Sequence, residues 1–198
     1  MSGTTSDPGP VEGRNAAAAA QAANPPRSGA TAADDGGLSA IDQRRFRDVL
    51  GHCPTSVAVI TAMRGDETPA GLVVGTFTSV SLDPPLVAFL PAKSSTSWPT
   101  MRDAGSFCAN ILGADHQHVG QRFATSGGDK FADVGWQPAP SGSPVLDDAL
   151  AWIDCDVETT HDAGDHEIVI GRVRDLDVRE VGSGPLVFFR GAYGILGA

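Results

Sequence analysis

The chain has 198 residues and a formal net charge of −10, with 14 Lys and Arg against 24 Asp and Glu. That balance disfavours a nucleic-acid binder, which needs a positive face, and no apolar run is long enough for a transmembrane helix. Cys53, Cys108 and Cys155 are odd in number and form no CxxC pair, so a reduced, cytoplasmic protein with small buried thiols is expected.

Residues 1–37 combine the alanine run at positions 16–20 with Pro8, Pro10, Pro25 and Pro26 and almost no large apolar side chain. Such a segment cannot bury enough surface to offset its ordering entropy, so a disordered tail is expected there. It also lacks the basic start and hydrophobic stretch of a secretory signal. The folded domain is expected over residues 38–198.

Ser39, with Asp42 three residues later, resembles a capping box opening a helix whose apolar face is Phe46, Val49 and Leu50 and which Gly51 ends. Residues 55–63 read as a strand rich in β-branched side chains, and Arg64-Gly65-Asp66 turns it into a second strand from Gly71. There Val74, Thr76, Thr78 and Val80 alternate with Gly75, Phe77, Ser79 and Ser81. Asp83-Pro84-Pro85 forces a turn, because proline cannot donate to a sheet ladder, and residues 86–90 form a short apolar strand. Lys93, Ser94, Ser95, Thr96 and Ser97 follow, then Trp98-Pro99. Proline is pre-organised for a first helical turn, and hydroxyls before it are natural caps. A helix N-terminus with a lysine and free hydroxyls beside it is a ready anion site; an ordinary capped helix accounts for the same residues equally well.

That helix continues through Met101 and Arg102 to Gly105, and residues 106–112 form another strand. Asp115 can cap a helix whose Val119 and Phe123 face inward at i, i+4. Residues 125–129 are a glycine-rich loop before Lys130-Phe131, and residues 137–144 a Pro/Gly/Ser connection. From Leu150 on, Ile153, Cys155 and Val157 alternate with Trp152, Asp154, Asp156 and Glu158 in a half-buried pattern. Residues 161–166 (HDAGDH) are a turn, residues 167–180 a long strand, and residues 185–189 and 193–196 the last two strands. About seven strands with short helices between them and no regular βαβ alternation predict a mainly β fold with peripheral helices, an antiparallel barrel.

Most chemical motifs are missing. His116 and His118 sit at i, i+2 and point to different helix faces, and no HExxH occurs, so no metal is expected. There is no GxSxG elbow and no Walker A sequence, and Gly182-Ser183-Gly184 lacks the third glycine of a dinucleotide fingerprint. What stays is an anion site after Lys93, a second set of cations (Arg122, Lys130, Arg190) and the Gly164-Asp165-His166 turn.

Seven segments in order resemble the flavin reductase family, the small NAD(P)H:flavin oxidoreductases that serve two-component monooxygenases. They are FRDVLGHCPTSVAVIT, AGLVVGTFTSVSLDPPLVAF, KSSTSW, RFA, DKF, AGDHEIVIGRV and PLVFFRGAYG, and the resemblance covers nearly all of residues 45–196. The resemblance implies an antiparallel split β-barrel of the FMN-binding type, a homodimer, and a flavin along the Gly71 strand. Val73, Val74, Gly75, Thr76 and Phe77 would meet its ring and ribityl chain, with backbone contacts at Val73 and Gly75. Pro91, Ala92, Lys93, Ser95, Thr96 and Ser97 would hold its phosphate, and Arg122 and Phe123 would add contacts. Gly164, Asp165 and His166 would meet the nicotinamide nucleotide, with His166 as the catalytic residue. The implied cofactor is FMN or FAD with NADH or NADPH as co-substrate, and the implied partner is a separate monooxygenase. A non-catalytic split-barrel flavin-binding protein and a pyridoxamine-phosphate-oxidase-like enzyme are the competing readings.

Overall fold

The computed structural model describes residues 42–179 and 184–196. The expected disordered tail, Ser39 and Glu180 lie outside them. The first helix, α1 (Gln43–Leu50), is capped by Asp42, whose carboxylate accepts from Arg44 N at 3.0 Å. Its residues are exposed throughout, the apolar face included.

The expected strand over residues 55–63 is two strands, β1 (Thr55–Ser56) and β2 (Ala58–Met63). Between them Val57 donates to Leu186 O and accepts from Leu112 N, which carries the chain from one sheet into another. The strand from Gly71 is likewise two, β3 (Pro69–Val74) and β4 (Thr78–Leu82). The expected alternation through Thr76 stops at Gly75, where an added Cβ would stand 2.7 Å from Thr55 Oγ1. β5 (Pro85–Phe89) follows, then the short helix α2 (Trp98–Met101), β6 (Ser106–Leu112), a 3-10 turn and α3 (Gln117–Ala124). Asp115 lies within that 3-10 turn and makes no capping bond, while Val119 and Phe123 are each 1% exposed on the inner face of α3.

The Pro/Gly/Ser connection of the sequence is a small hairpin, β7 (Trp136–Pro138) and β8 (Pro144–Leu146). β9 (Ala149–Ala163) and β10 (His166–Val178) form a long hairpin. Its turn is only Gly164-Asp165, so His161 and Asp162 are strand residues; Gly164 supplies the positive φ, 65°. β11 (Leu186–Phe189) pairs with β1 on one side and with β12 (Ala192–Ile195) on the other.

Seven strands make one antiparallel sheet in the order β3-β2-β6-β9-β10-β5-β4. β3 and β4 are its two edges, yet only residues 75–77 join them. Four Cα steps reach about 14 Å at most, so the sheet must curl until its edges meet. The result is an antiparallel split β-barrel. Thr76 ties the joint to the barrel, its Oγ1 accepting from Leu90 N at 2.9 Å.

β2 is buried on both faces because it divides two cores. Ala58, Ile60 and Ala62 face the barrel interior with Phe89, Phe107 and Trp98; Phe89 meets the other two rings edge-on at 5.0 and 5.6 Å. Val57 and Val59 face a second cluster under α3 with Leu112, Phe123 and Leu186. The alternation expected for β9 fails at Asp154, which is fully buried; Ser141 N and Oγ both donate to its carboxylate, and burial pushes its pKa up.

Candidate functional site

A cleft open to solvent lies where β3, the segment after β5 and the C-terminal end of α3 converge. One wall is apolar: Leu72, Val73 and Val74 of β3, with Pro91 and Ala92 beyond. The opposite side carries hydroxyls, from Ser94, Ser95, Thr96 and Ser97 before α2 and from Thr125 and Ser126 after α3. Lys130 and His166 complete it, and among the described residues no carboxylate lines it. In a chain of net charge −10, such a lining is selective for an anion with an apolar body.

The turn before α2 owes its shape to Ser95. Its Oγ accepts from Ser97 N at 3.3 Å and Trp98 N at 3.2 Å, so Ser95 satisfies the helix start and Ser97, at the cap position, does not. The Ser95 hydroxyl proton remains available to a ligand. Ser97 Oγ instead accepts from Lys130 Nζ at 2.8 Å.

Lys130 is the cation of the cleft. Its Nζ donates to Ser97 Oγ, to Phe123 O at 3.0 Å and to Gly71 O at 3.4 Å, all neutral acceptors, and among the described residues it has no ion-pair partner. Burial holds its pKa below the usual 10.5. An Asx turn presents it, with Asp129 Oδ1 accepting from Phe131 N at 2.9 Å. Phe131 packs edge-on against Phe123, which fixes the loop to α3.

Lys93 is placed differently from the sequence expectation. It lies outside the cleft lining, and its Nζ pairs with Asp162 Oδ1 at 2.8 Å and donates to Gly164 O at 2.9 Å. Its backbone N–H donates to Asp165 O at 2.9 Å, and Glu167 N donates to Pro91 O at 3.0 Å. These bonds hold the β9–β10 turn against the segment after β5 and bring His166 onto the cleft. His166 Nδ1 stands 2.8 Å from Asp165 Oδ1, and this bond holds the Asp165 carboxyl below the ordinary carboxylate range.

Of the residues expected at the site, the cleft thus brings together Val73, Val74, Pro91, Ala92, Ser95, Thr96, Ser97, Phe123 and His166. Gly75, Thr76, Phe77, Lys93, Arg122, Gly164 and Asp165 stand outside its lining. Thr76 is occupied by its bonds to Leu90, and Phe77 packs against the barrel core. Ser94, one of the hydroxyls expected at the anion site, also lines it, whereas Leu72, Ala124, Thr125 and Ser126 were not anticipated as lining residues. Lys130 was, but only within a second set of cations; the Asp-x-Phe turn around it is the signal that singles it out.

The cleft of this split barrel joins an apolar wall to hydroxyls and an ammonium without an ion-pair partner among the described residues, a lining that suits an apolar body with an anionic tail. Residues 50–197 match the flavin reductase like domain, and the chain belongs to that family. It is an oxidoreductase of the flavin reductase type. A flavin reductase of Pseudomonas putida is 51% identical over 156 residues, which cover 79% of this chain and 91% of the relative. The reductase subunit HsaB of a flavin-dependent monooxygenase from Rhodococcus jostii is 45% identical over 162 residues, covering 80% and 82%. An NADH:FAD oxidoreductase of Streptomyces globisporus, solved in complex with NAD and FAD fragments, superposes with a TM-score of 0.73 at 29% identity, covering 79% of this chain and 93% of that one.

Proposed function

We propose that this chain takes hydride from NADH to FMN, or to FAD, and supplies the reduced flavin to a separate monooxygenase. The observation that carries the reading is Lys130: a half-buried ammonium in an acidic chain, bonded among the described residues to neutral oxygens alone and lining the cleft with the Ser94–Ser97 hydroxyls. The donor set fits a flavin, with Lys130, Ser95, Thr96 and Ser97 on the phosphate and Val73 and Val74 along the ring. Bound flavin supplies the hydride-accepting chemistry, so the protein needs no acid or base of unusual pKa. Its own residues bind the tail, hold two flat rings face to face and keep water away.

His166, a lining residue bridged to Ala92 and held by Asp165, orients the nicotinamide in this reading. The exposed Asp165 carboxylate disfavours a 2′-phosphate nearby, which supports NADH over NADPH. The kinship with a monooxygenase reductase subunit supports a separate oxygenase as the consumer of reduced flavin. The exposed apolar face of α1 supports a homodimer, and the free thiols of Cys53, Cys108 and Cys155 suit the reducing cytoplasm.

The test is NADH consumption followed by absorbance, with and without added FMN or FAD. Flavin-dependent consumption is expected; a yellow protein inert to NADH overturns the reading in favour of a binding protein. His166→Ala should lower NADH turnover about 10-fold or more while leaving flavin affinity within about threefold, the pattern of lost orientation. Equal loss of both would remove the role assigned to His166.

A further inference from the structure

Glu167 follows His166 directly, yet its carboxylate points into a different environment. It is 6% exposed. Its Oε2 accepts from Trp98 Nε1 and its Oε1 meets Arg102 Nη2 at 3.1 Å, while its backbone N–H donates to Pro91 O. Trp98 is itself buried edge-on against Phe89, and its backbone N–H donates to Ser95 Oγ. One buried carboxylate therefore fastens the strand that carries His166 to the turn that carries the hydroxyls. Both border the cleft, where His166 is bridged to Ala92 just before those hydroxyls, and Glu167 does not line it.

Burying a carboxylate is costly, and a buried ion pair adds little net stability compared with apolar side chains of the same volume. What it supplies is fixed geometry, since a carboxylate with both oxygens engaged has one orientation.

We propose that Glu167 is a positioning residue for hydride transfer: through Trp98 and Pro91 it sets the spacing between His166 and the wall of hydroxyls and Lys130. The inference rests on the cleft being the flavin seat with His166 at the nicotinamide. Spacing enters turnover more than flavin affinity, because Lys130 and the hydroxyls supply the affinity, whereas a displacement of about 1 Å can cost about 100-fold in rate.

The test compares Glu167→Gln, Glu167→Leu and Trp98→Phe in the full chain. Its first readout needs no flavin: the indole N–H signals in a 15N-resolved NMR spectrum, with Trp98 assigned by its loss in Trp98→Phe. The Trp98 signal should lie downfield in the wild type, shift upfield but stay protected in Glu167→Gln, and exchange about 10-fold faster or more in Glu167→Leu. In turnover, Glu167→Leu should lose about 10- to 100-fold in kcat with the flavin dissociation constant within about threefold, and Glu167→Gln should recover most of it. Should Glu167→Leu fail to fold, Trp98→Phe removes the donor while keeping a smaller aromatic ring beside Phe89, and carries the same expectation. The proposal is overturned by a folded Glu167→Leu with wild-type kcat, by kcat and flavin affinity falling together, or by an unmoved Trp98 signal. A wild type that neither binds flavin nor oxidises NADH fails the proposed function instead, and the Trp98 signal still decides whether the tie exists.

Discussion

Two lysines divide the work that one was expected to do. Lys93 holds the β9–β10 turn through Asp162 and Gly164, whereas Lys130 faces the cleft. Lys130→Met should therefore weaken flavin binding by about 1.5–3 kcal/mol, roughly 10- to 100-fold, as expected for a lost charge-assisted bond. Lys93→Ala should leave flavin affinity nearly unchanged and lower NADH turnover by loosening the turn under His166. Fluorescence titration and steady-state rates separate the two. The pH dependence of Lys130 has a defined sign. Its folded pKa is lowered, so between that value and 10.5 the unfolded chain binds more protons and the ligand-free protein gains stability as pH rises. Flavin affinity runs the other way, declining on the alkaline side earlier than an exposed lysine would allow, and Lys130→Met should abolish that decline.

At the scale of elements, the contact of β3 with α3 sets the floor of the site. An added Cβ at Gly71 would stand 2.5 Å from Cε1 of the buried Phe123 ring. Gly71→Ala should cost about 1–3 kcal/mol by overpacking, read as a lower urea midpoint. It should also weaken flavin binding, since Lys130 donates to both Gly71 O and Phe123 O. Much of this level was legible in the sequence. The strand over residues 106–112 and the inward pair Val119/Phe123 are found where periodicity put them. Periodicity could not see the breaks at Val57 and Gly75, because a strand that changes partners keeps its alternation while its hydrogen bonds move to another sheet. Nor could it tell Lys93 from Lys130. Both lie near hydroxyls along the chain, but only the meeting of α3 with β3 brings Lys130 inward, while Asp162, distant in sequence, draws Lys93 out. Glu167 was invisible for the same reason: its partners Trp98 and Arg102 lie far back in the chain.

For the whole molecule, the question is what covers α1. Phe46, Val49 and Leu50 are 55%, 58% and 54% exposed on one face of a helix that touches water on every side. A second copy of the chain is the proposed cover. Sedimentation should give twice the chain's mass, and Phe46→Glu should shift it toward the single chain without lowering the melting temperature of the monomer. A single sedimenting chain in the wild type would remove the dimer.

The short link over residues 75–77 also bears on how the barrel can form at all. The two strands that end the sheet are six places apart in its hydrogen-bond order, yet they are neighbours along the chain. Bringing those ends together costs the closure entropy of a loop of a few residues rather than that of a whole domain. The slow events of assembly then fall elsewhere. They fall on the meeting of β2 with β6 and of β5 with β10, which must find partners across about 50 and 80 residues respectively.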